Sequence, residues 1–144
     1  MPFAQFNIAL ARWDLDDPRM KEFMDMVPKM NAIAARSPGY VWRLEDEAGP
    51  DAPTFPEGRR MTFTLSVWES VEELRHFTWN TLHKRFRLRT AEWFVPLGRP
   101  YLAIWPIATG HRPNGAEALD MLDRLTRQGP SKTVFGTEAL LEPA

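Results

Sequence analysis

Cysteine is absent from this chain of 144 residues. Disulfides, thiolate metal sites and thiol nucleophiles are therefore all excluded. Histidine is scarce as well, with three residues, and none of them has an acidic residue at the spacing of a metal-binding motif. The sequence therefore predicts no protein metal site. A haem held by one axial histidine has no spacing to test, so haem binding stays open.

An excess of either charge is also lacking. Lys and Arg total 18 against 19 Asp and Glu, which gives a formal net charge of −1. A surface for nucleic acid is therefore not expected. No segment approaches the ~18 apolar residues that a membrane span needs, and the first residues do not resemble a signal peptide. We expect a cytoplasmic protein without nucleic-acid or membrane partners.

Alternating apolar residues mark four strands. The pattern predicts them near residues 6–10, 40–45, 61–68 and 101–107. In the second of these, Tyr40, Trp42 and Leu44 are expected to share one face of the sheet, because side chains alternate along a strand.

Capping residues mark the helices. Asp17 followed by Pro18 predicts the start of a first helix, which ends near residues 37–39. Ser70 begins a capping box for a second helix, which is predicted to continue to about Phe94 unless it breaks near Asn80. Residues 114–129 predict a third helix, and residues 133–135 a short edge strand.

The order of these elements predicts the fold. Strand, helix, strand, strand, helix, strand is the ferredoxin-like β-α-β-β-α-β arrangement, an α+β fold with both helices on one face of an antiparallel sheet. We expect a single domain over residues 1–144, with its core at 3–108 and a C-terminal appendage at 109–144. The opposite face would be exposed, yet both faces carry large residues, among them Trp42, Trp68 and Trp105, so a homodimer that buries the exposed face is predicted.

Candidate catalytic residues lie on the predicted second helix. If the helix is continuous, residues at helical spacing form a line of mostly polar side chains along one side of it. His83 lies in this line, one turn before Arg87. A partly desolvated histidine beside an arginine has a lowered pKa and can act as a base. In this hypothesis His83 is the base, and Arg87 or Asn80 stabilises an oxyanion. The full line contains His76, Asn80, His83, Arg87, Thr90 and Phe94.

Candidate ligand-binding residues lie on the third strand and beside it. Thr64 and Ser66 share a strand face that ends at Trp68, and hydroxyl groups beside an aromatic ring suit a flat, partly polar ligand. His76 and Phe94 are added to this set from the helical line. The plainer alternatives are that most of the six tryptophans lie in the core or a dimer interface, and that the histidines are solvated.

Several segments resemble one uncharacterised family of the dimeric α+β barrel superfamily, related to the antibiotic-biosynthesis monooxygenases. The segments are NAIA at 31–34, SPGYVW at 37–42, SVWES at 66–70, His83, residues 87–94, GHRP at 110–113 and GPS at 129–131. The resemblance implies a homodimer whose sheets form a barrel, with a pocket between sheet and helices in each subunit. His83 resembles the histidine on the second helix of the monooxygenases.

The resembled family has no assigned reaction, but its monooxygenase relatives suggest one. The related monooxygenases oxidise polycyclic phenols or quinol-like substrates without metal or flavin, so no cofactor is predicted. We therefore expect a pocket protein, and as an enzyme a cofactor-independent monooxygenase acting on an aromatic or polyketide-type substrate. The alternatives are a hydrophobic-ligand or haem-binding module without catalysis, and a structural dimer without a ligand.

Overall fold

The structure is a computed structural model, which describes residues 1–56, 60–79 and 89–140. It is an α+β fold built on an antiparallel sheet of five strands. The elements in chain order are β1 (Phe3–Ala11), α1 (Lys21–Arg36), β2 (Tyr40–Arg43), β3 (Met61–Trp68), α2 (Val71–Trp79), β4 (Phe94–Val95), β5 (Leu102–Pro106) and α3 (Gly115–Gln128). Within these described ranges, no helix has both the length and the hydropathy required to cross a membrane.

The sheet is centred on β1. Strand β3 lies antiparallel to β1 on one side, with β2 beyond it. On the other side β5 pairs with the first half of β1, and the two-residue β4 pairs with its last two residues. The strand arrangement agrees with the predicted ferredoxin-like α+β class. The predicted edge strand also forms a pairing, a single bridge between Ile104 and Phe135.

The predicted caps form. Asp17 accepts a hydrogen bond from the Arg19 amide at the start of a short 3-10 turn, Pro18–Met20, that leads into α1. The Ser70 hydroxyl accepts from the Glu73 amide at 3.2 Å, and Asn114 caps α3 in the same way. Each cap satisfies a backbone donor that the helix itself leaves without a partner.

The two sides of the sheet pack against different helices. One side, which we call the α3 face, carries Ala4, Phe6 and Ile8 of β1 and packs against α3 through a stripe of Ala118, Leu122 and Leu125. The other side, which we call the groove face, packs against α1 and α2.

The prediction that one face of the sheet is exposed is therefore wrong. The C-terminal appendage covers it with the chain's own helix, and Trp105 on that face is 1% exposed. Its indole nitrogen donates to Glu117 of α3 at 3.0 Å. The homodimer stays a prediction, but the exposed apolar face that was the reason for it is not present.

Strand β2 does not keep its predicted alternation. Tyr40 pairs with Trp68 and packs on the groove face, whereas Trp42 pairs with the adjacent Val67 and packs on the α3 face. The register shifts between Tyr40 and Trp42, and Val41 is half exposed. A bulge of one residue exchanges the faces, because side chains alternate strictly on a regular strand.

The second helix does not reach Phe94. Helix α2 is described from Val71 to Trp79. After residues 80–88, which lie outside the described part, Thr90–Glu92 forms a 3-10 turn and Phe94 belongs to β4. Thr90 and Phe94 therefore do not continue the predicted helical line, because Thr90 begins a 3-10 turn and Phe94 pairs with Ala11 of β1.

Candidate functional site

Polar side chains form the middle of the groove face, where a sheet beneath two helices would ordinarily be apolar. Gln5 and Asn7 of β1 lie opposite Ser66 and Thr64 of β3, and Thr62 follows one position farther along. We call these five residues the polar floor. Gln5 and Ser66 are buried, Asn7 and Thr62 are half-buried, and Thr64 is exposed. Solvent therefore reaches the floor at Thr64, which is hydrogen-bonded to the buried side chain of Gln5.

Hydrogen bonds connect three of the floor residues, Gln5, Thr64 and Ser66. The Gln5 side-chain amide donates to the Ser66 hydroxyl at 2.8 Å and to the Thr64 hydroxyl at 3.0 Å. The indole nitrogen of Trp68 also donates to the Ser66 hydroxyl, at 3.0 Å. Two buried donors thus point at the oxygen of Ser66, and one points at the oxygen of Thr64.

Trp68 closes one end of the floor, and it is buried to 1% exposure. Its ring stacks on Phe77 of α2 at 5.1 Å and meets the edge of Tyr40 at 5.7 Å. Burial raises the pKa of the Tyr40 hydroxyl. Trp68 was predicted to contact a ligand directly. In this structure its ring contacts the protein, and its link to the floor is the hydrogen bond to Ser66.

A second aromatic cluster closes the other end. Trp93 is buried beside Phe23 of α1, and Phe94 meets the edge of Phe23 with ring centroids 4.8 Å apart. Arg89 donates to Glu22 of α1, and this contact lowers the pKa of the Glu22 carboxyl. Phe94, a predicted ligand-binding residue, is partly buried here and so borders the groove face rather than lying on a helix.

The remaining predicted residues are either exposed or outside the described part of the chain. His76 is exposed on α2. The predicted catalytic residues Asn80, His83 and Arg87 lie outside the described residues, and their roles stay predictions. Among the predicted residues that the structure describes, Thr64, Ser66 and Trp68 lie together.

Two floor residues were not predicted from the sequence. Gln5 and Asn7 alternate with apolar residues in β1, and the only available signal was their polar character on a strand with one strongly apolar face. Their contact with the hydroxyl groups of β3 depends on the register between strands about 60 residues apart, which no local pattern carries.

Within the part of the chain that the structure describes, no three His, Asp or Glu side chains form a cluster that could hold a metal ion. His111 does have an acidic partner, since its ring nitrogen lies 2.7 Å from a carboxylate oxygen of Glu117. This pair joins the linker before α3 to the first turn of that helix.

Comparison with known families covers nearly the whole chain. The sequence pattern of a family described as a domain of unknown function matches residues 2–144. The chain belongs to the DUF3291 family. The prediction that the chain belongs to an uncharacterised family is therefore confirmed, its placement in the dimeric α+β barrel superfamily stays a prediction, and the description of DUF3291 names no reaction.

Solved structures and curated proteins add little to the DUF3291 assignment. One similar structure is SnoaB from Streptomyces nogalater, titled a cofactor-independent oxygenase, which is 12% identical. The similarity covers 75% of this chain and 94% of SnoaB, with a TM-score of 0.49. Among curated proteins, no sequence matches this DUF3291 chain significantly.

Proposed function

We propose that this chain binds a small molecule on the polar floor, with a flat apolar body and an oxygen atom that accepts hydrogen bonds. The observation that carries the proposal is the direction of these hydrogen bonds, in which the hydroxyl oxygens of Thr64 and Ser66 are the acceptors. A ligand that meets this floor encounters hydroxyl groups whose oxygens already accept from buried nitrogen donors.

A hydroxyl group has one proton to donate and two lone pairs that accept. Both lone pairs of Ser66 are used by Gln5 and Trp68, so its proton is the group left to bond. Thr64 accepts from Gln5 at 3.0 Å, and its own proton has only a long contact of 3.5 Å back to the same amide. Thr64 is thus an exposed donor, suited to a carbonyl or phenolate oxygen.

The ends of the floor suit the apolar part of such a ligand. Phe94 is partly buried at one end, and Tyr40 is partly buried at the other. Pockets for small molecules are mostly apolar, with a few polar groups that fix orientation. Here the donors lie between two aromatic clusters, which favours a ring system with its oxygen near the middle.

Replacing Thr64 with valine is expected to weaken the binding of an aromatic ketone. We choose 1-indanone as the probe and indane, which has the same rings without the oxygen, as its matched ligand. Loss of one neutral hydrogen bond predicts a dissociation constant for 1-indanone about threefold to tenfold higher, with the weaker binding of indane unchanged. Isothermal titration calorimetry on the full chain measures both.

Thr109→Val, at an exposed threonine in the linker before α3, is the control variant and should bind both ligands as the parent does. Equal affinity of the parent protein for 1-indanone and indane would contradict a hydrogen bond from the floor to the ligand oxygen. An unchanged 1-indanone affinity in Thr64→Val would move the ligand away from the floor.

Catalysis, as distinct from binding, requires a base that the floor does not supply. Its five side chains are amides and hydroxyls, which can orient a substrate but do not take up a proton near neutral pH. We therefore keep His83 as the proposed base, with Arg87 or Asn80 stabilising the oxyanion, in a monooxygenase reaction of a phenolic substrate that needs no cofactor.

His83→Ala is expected to lower turnover of a polycyclic phenol about 100-fold, the usual size of a general-base effect. Oxygen consumption with 1,8-dihydroxyanthrone measures this, after subtraction of the substrate's autoxidation. His111→Gln, in the linker before α3, should keep the parent rate. Parent protein that consumes no oxygen above the buffer rate would leave the chain a binding protein, and normal turnover in His83→Ala would remove His83 from the mechanism.

A further inference from the structure

A cavity of about 460 Å³ opens on the α3 face, on the opposite side of the sheet from the polar floor. We call it the α3 cavity. Its apolar lining includes Ile8, Phe55, Met61, Leu119 and Leu122. These side chains come from β1, the loop before β3, β3 itself and α3, so four separate parts of the chain surround the space. Its volume lies within the range of small-molecule pockets.

Four polar residues also line the cavity. Asp123 and Thr126 belong to α3, Arg99 belongs to the loop between β4 and β5, and Thr54 precedes Phe55 in the loop before β3. Asp123 is already paired, because Arg127 donates to its carboxylate at 2.8 Å. The Thr126 hydroxyl donates to the backbone carbonyl of Leu122, one turn earlier, at 2.8 Å. Both groups therefore have partners within α3.

Arg99 differs from these two residues. Its side chain is exposed, and among the described residues no carboxylate lies within ion-pair distance of its guanidinium group. The residue before it, Gly98, has φ of +69°, a conformation that glycine adopts without steric cost. The loop thus brings to the cavity lining a guanidinium group that pairs with no carboxylate of the described residues.

We propose that the α3 cavity binds an amphiphilic monocarboxylate, with its carboxylate on Arg99 and its apolar chain among Phe55, Met61 and Leu119. Arginine presents paired donors that match the two oxygens of a carboxylate, so Arg99 would hold the polar end of the ligand. Asp123, which lines the same cavity, disfavours a ligand with a second negative charge. The volume suits a chain of about eight to ten carbons. This site is separate from the polar floor and from the function proposed there.

The test uses decanoate as the probe, titrated into the full chain and followed by isothermal titration calorimetry. Decan-1-ol, with the same chain and no charge, is the matched ligand. Arg99→Gln is expected to weaken decanoate binding about tenfold, the order expected for loss of a charge-assisted pair, and to leave decan-1-ol binding unchanged. Arg124→Gln, an exposed arginine of α3 that pairs with Asp120, should bind decanoate as the parent does.

Two further variants locate the ligand. Leu119→Trp fills the cavity and should abolish binding of both ligands, with circular dichroism to verify that the variant is folded. Gln5→Leu alters the polar floor and should leave decanoate binding unchanged. Decanoate binding that is absent in the parent protein at millimolar concentration, unaffected by Arg99→Gln, or matched by decan-1-ol would overturn the proposal. Weaker decanoate binding in Gln5→Leu would also overturn it, because it would place the ligand on the other face.

Discussion

Leu125→Ala is expected to lower the free energy of unfolding by about 2–5 kcal/mol, the usual cost of truncating a buried leucine. Leu125 is 4% exposed and belongs to the stripe by which α3 covers the sheet. Its removal leaves a cavity in the core of the α3 face, where Val134 packs against the same cluster. Urea denaturation followed by circular dichroism measures the change, with the slope against urea compared between variants.

Arg124→Ala provides the matched control for this prediction. Arg124 is the preceding residue on α3, its side chain is 46% exposed, and its partner Asp120 is exposed as well. Its substitution should cost less than about 0.5 kcal/mol. A loss for Leu125→Ala no larger than that of Arg124→Ala would mean that α3 does not pack on the sheet in solution. The α3 face would then be available to a partner.

The position of α3 therefore bears directly on the oligomeric state. The prediction of a homodimer assumed that one face of the sheet was bare. In the structure α3 covers that face, and it is fixed at its start by a hydrogen bond of 2.6 Å from the Gly115 amide to the carbonyl of Asp51. It is fixed again by the bond from Trp105 to Glu117. A dimer of this chain must use a different surface or displace α3.

Much of the fold could be predicted because local signals and packing agree. The caps at Asp17, Ser70 and Asn114 depend on contacts over two or three residues, which the sequence shows directly. The alternation in β1 and β3 reflects one apolar face of each strand, and both strands form. The stripe of α3 was also apparent, since its period matches a helix with one buried side.

What failed depended on distant parts of the chain. A helical pattern gives the buried side of α3 but not which face of the sheet it meets. The bulge at Val41 exchanges faces without altering the apolar pattern around it. Phe94 continues a helical period by coincidence, and its pairing with Ala11 of β1 prevails over that period. Local propensity is a weak guide wherever a pairing of this kind competes with it.

The candidate site divides in the same way. Thr64 and Ser66 were predicted to share one strand face, and the structure places them on it. Their role as donors could not be predicted, because it depends on Gln5 and Trp68 using the hydroxyl oxygens as acceptors. Gln5 is 61 residues from Ser66, so the contact requires the register between β1 and β3. The chemistry of the floor thus arises from strand pairing rather than from any single motif.

Gly39→Ala is expected to lower the free energy of unfolding by about 3 kcal/mol, from two causes that add. Gly39 has φ of +85°, where an alanine is strained, and the Glu73 side chain occupies the position that its Cβ would take. The turn cannot easily move away, because the Glu69 amide donates to the Gly39 carbonyl at 2.7 Å. Thermal and urea denaturation give the change in stability.

Gly98→Ala separates the two causes. Gly98 also has a positive φ, of +69°, but no atom lies within 4 Å of the position of its Cβ. It should therefore show the backbone strain alone, about 1 kcal/mol. The excess cost at Gly39 then measures the contact with Glu73, and equal costs at the two glycines would show that the Glu73 side chain moves aside freely.

Adding Glu73→Ala to Gly39→Ala tests that contact from the other side. The double variant should recover part of the excess, because the carboxylate that overlaps the new Cβ is removed while the Cβ of residue 73 stays close. One carboxylate oxygen of Glu73 is also buried without a hydrogen-bond partner among the described residues. A buried acceptor of this kind stabilises little, so Glu73→Ala alone should cost less than about 1 kcal/mol. The recovery then reports steric relief between α2 and the turn before β2, where Trp68, Tyr40 and the end of the polar floor meet.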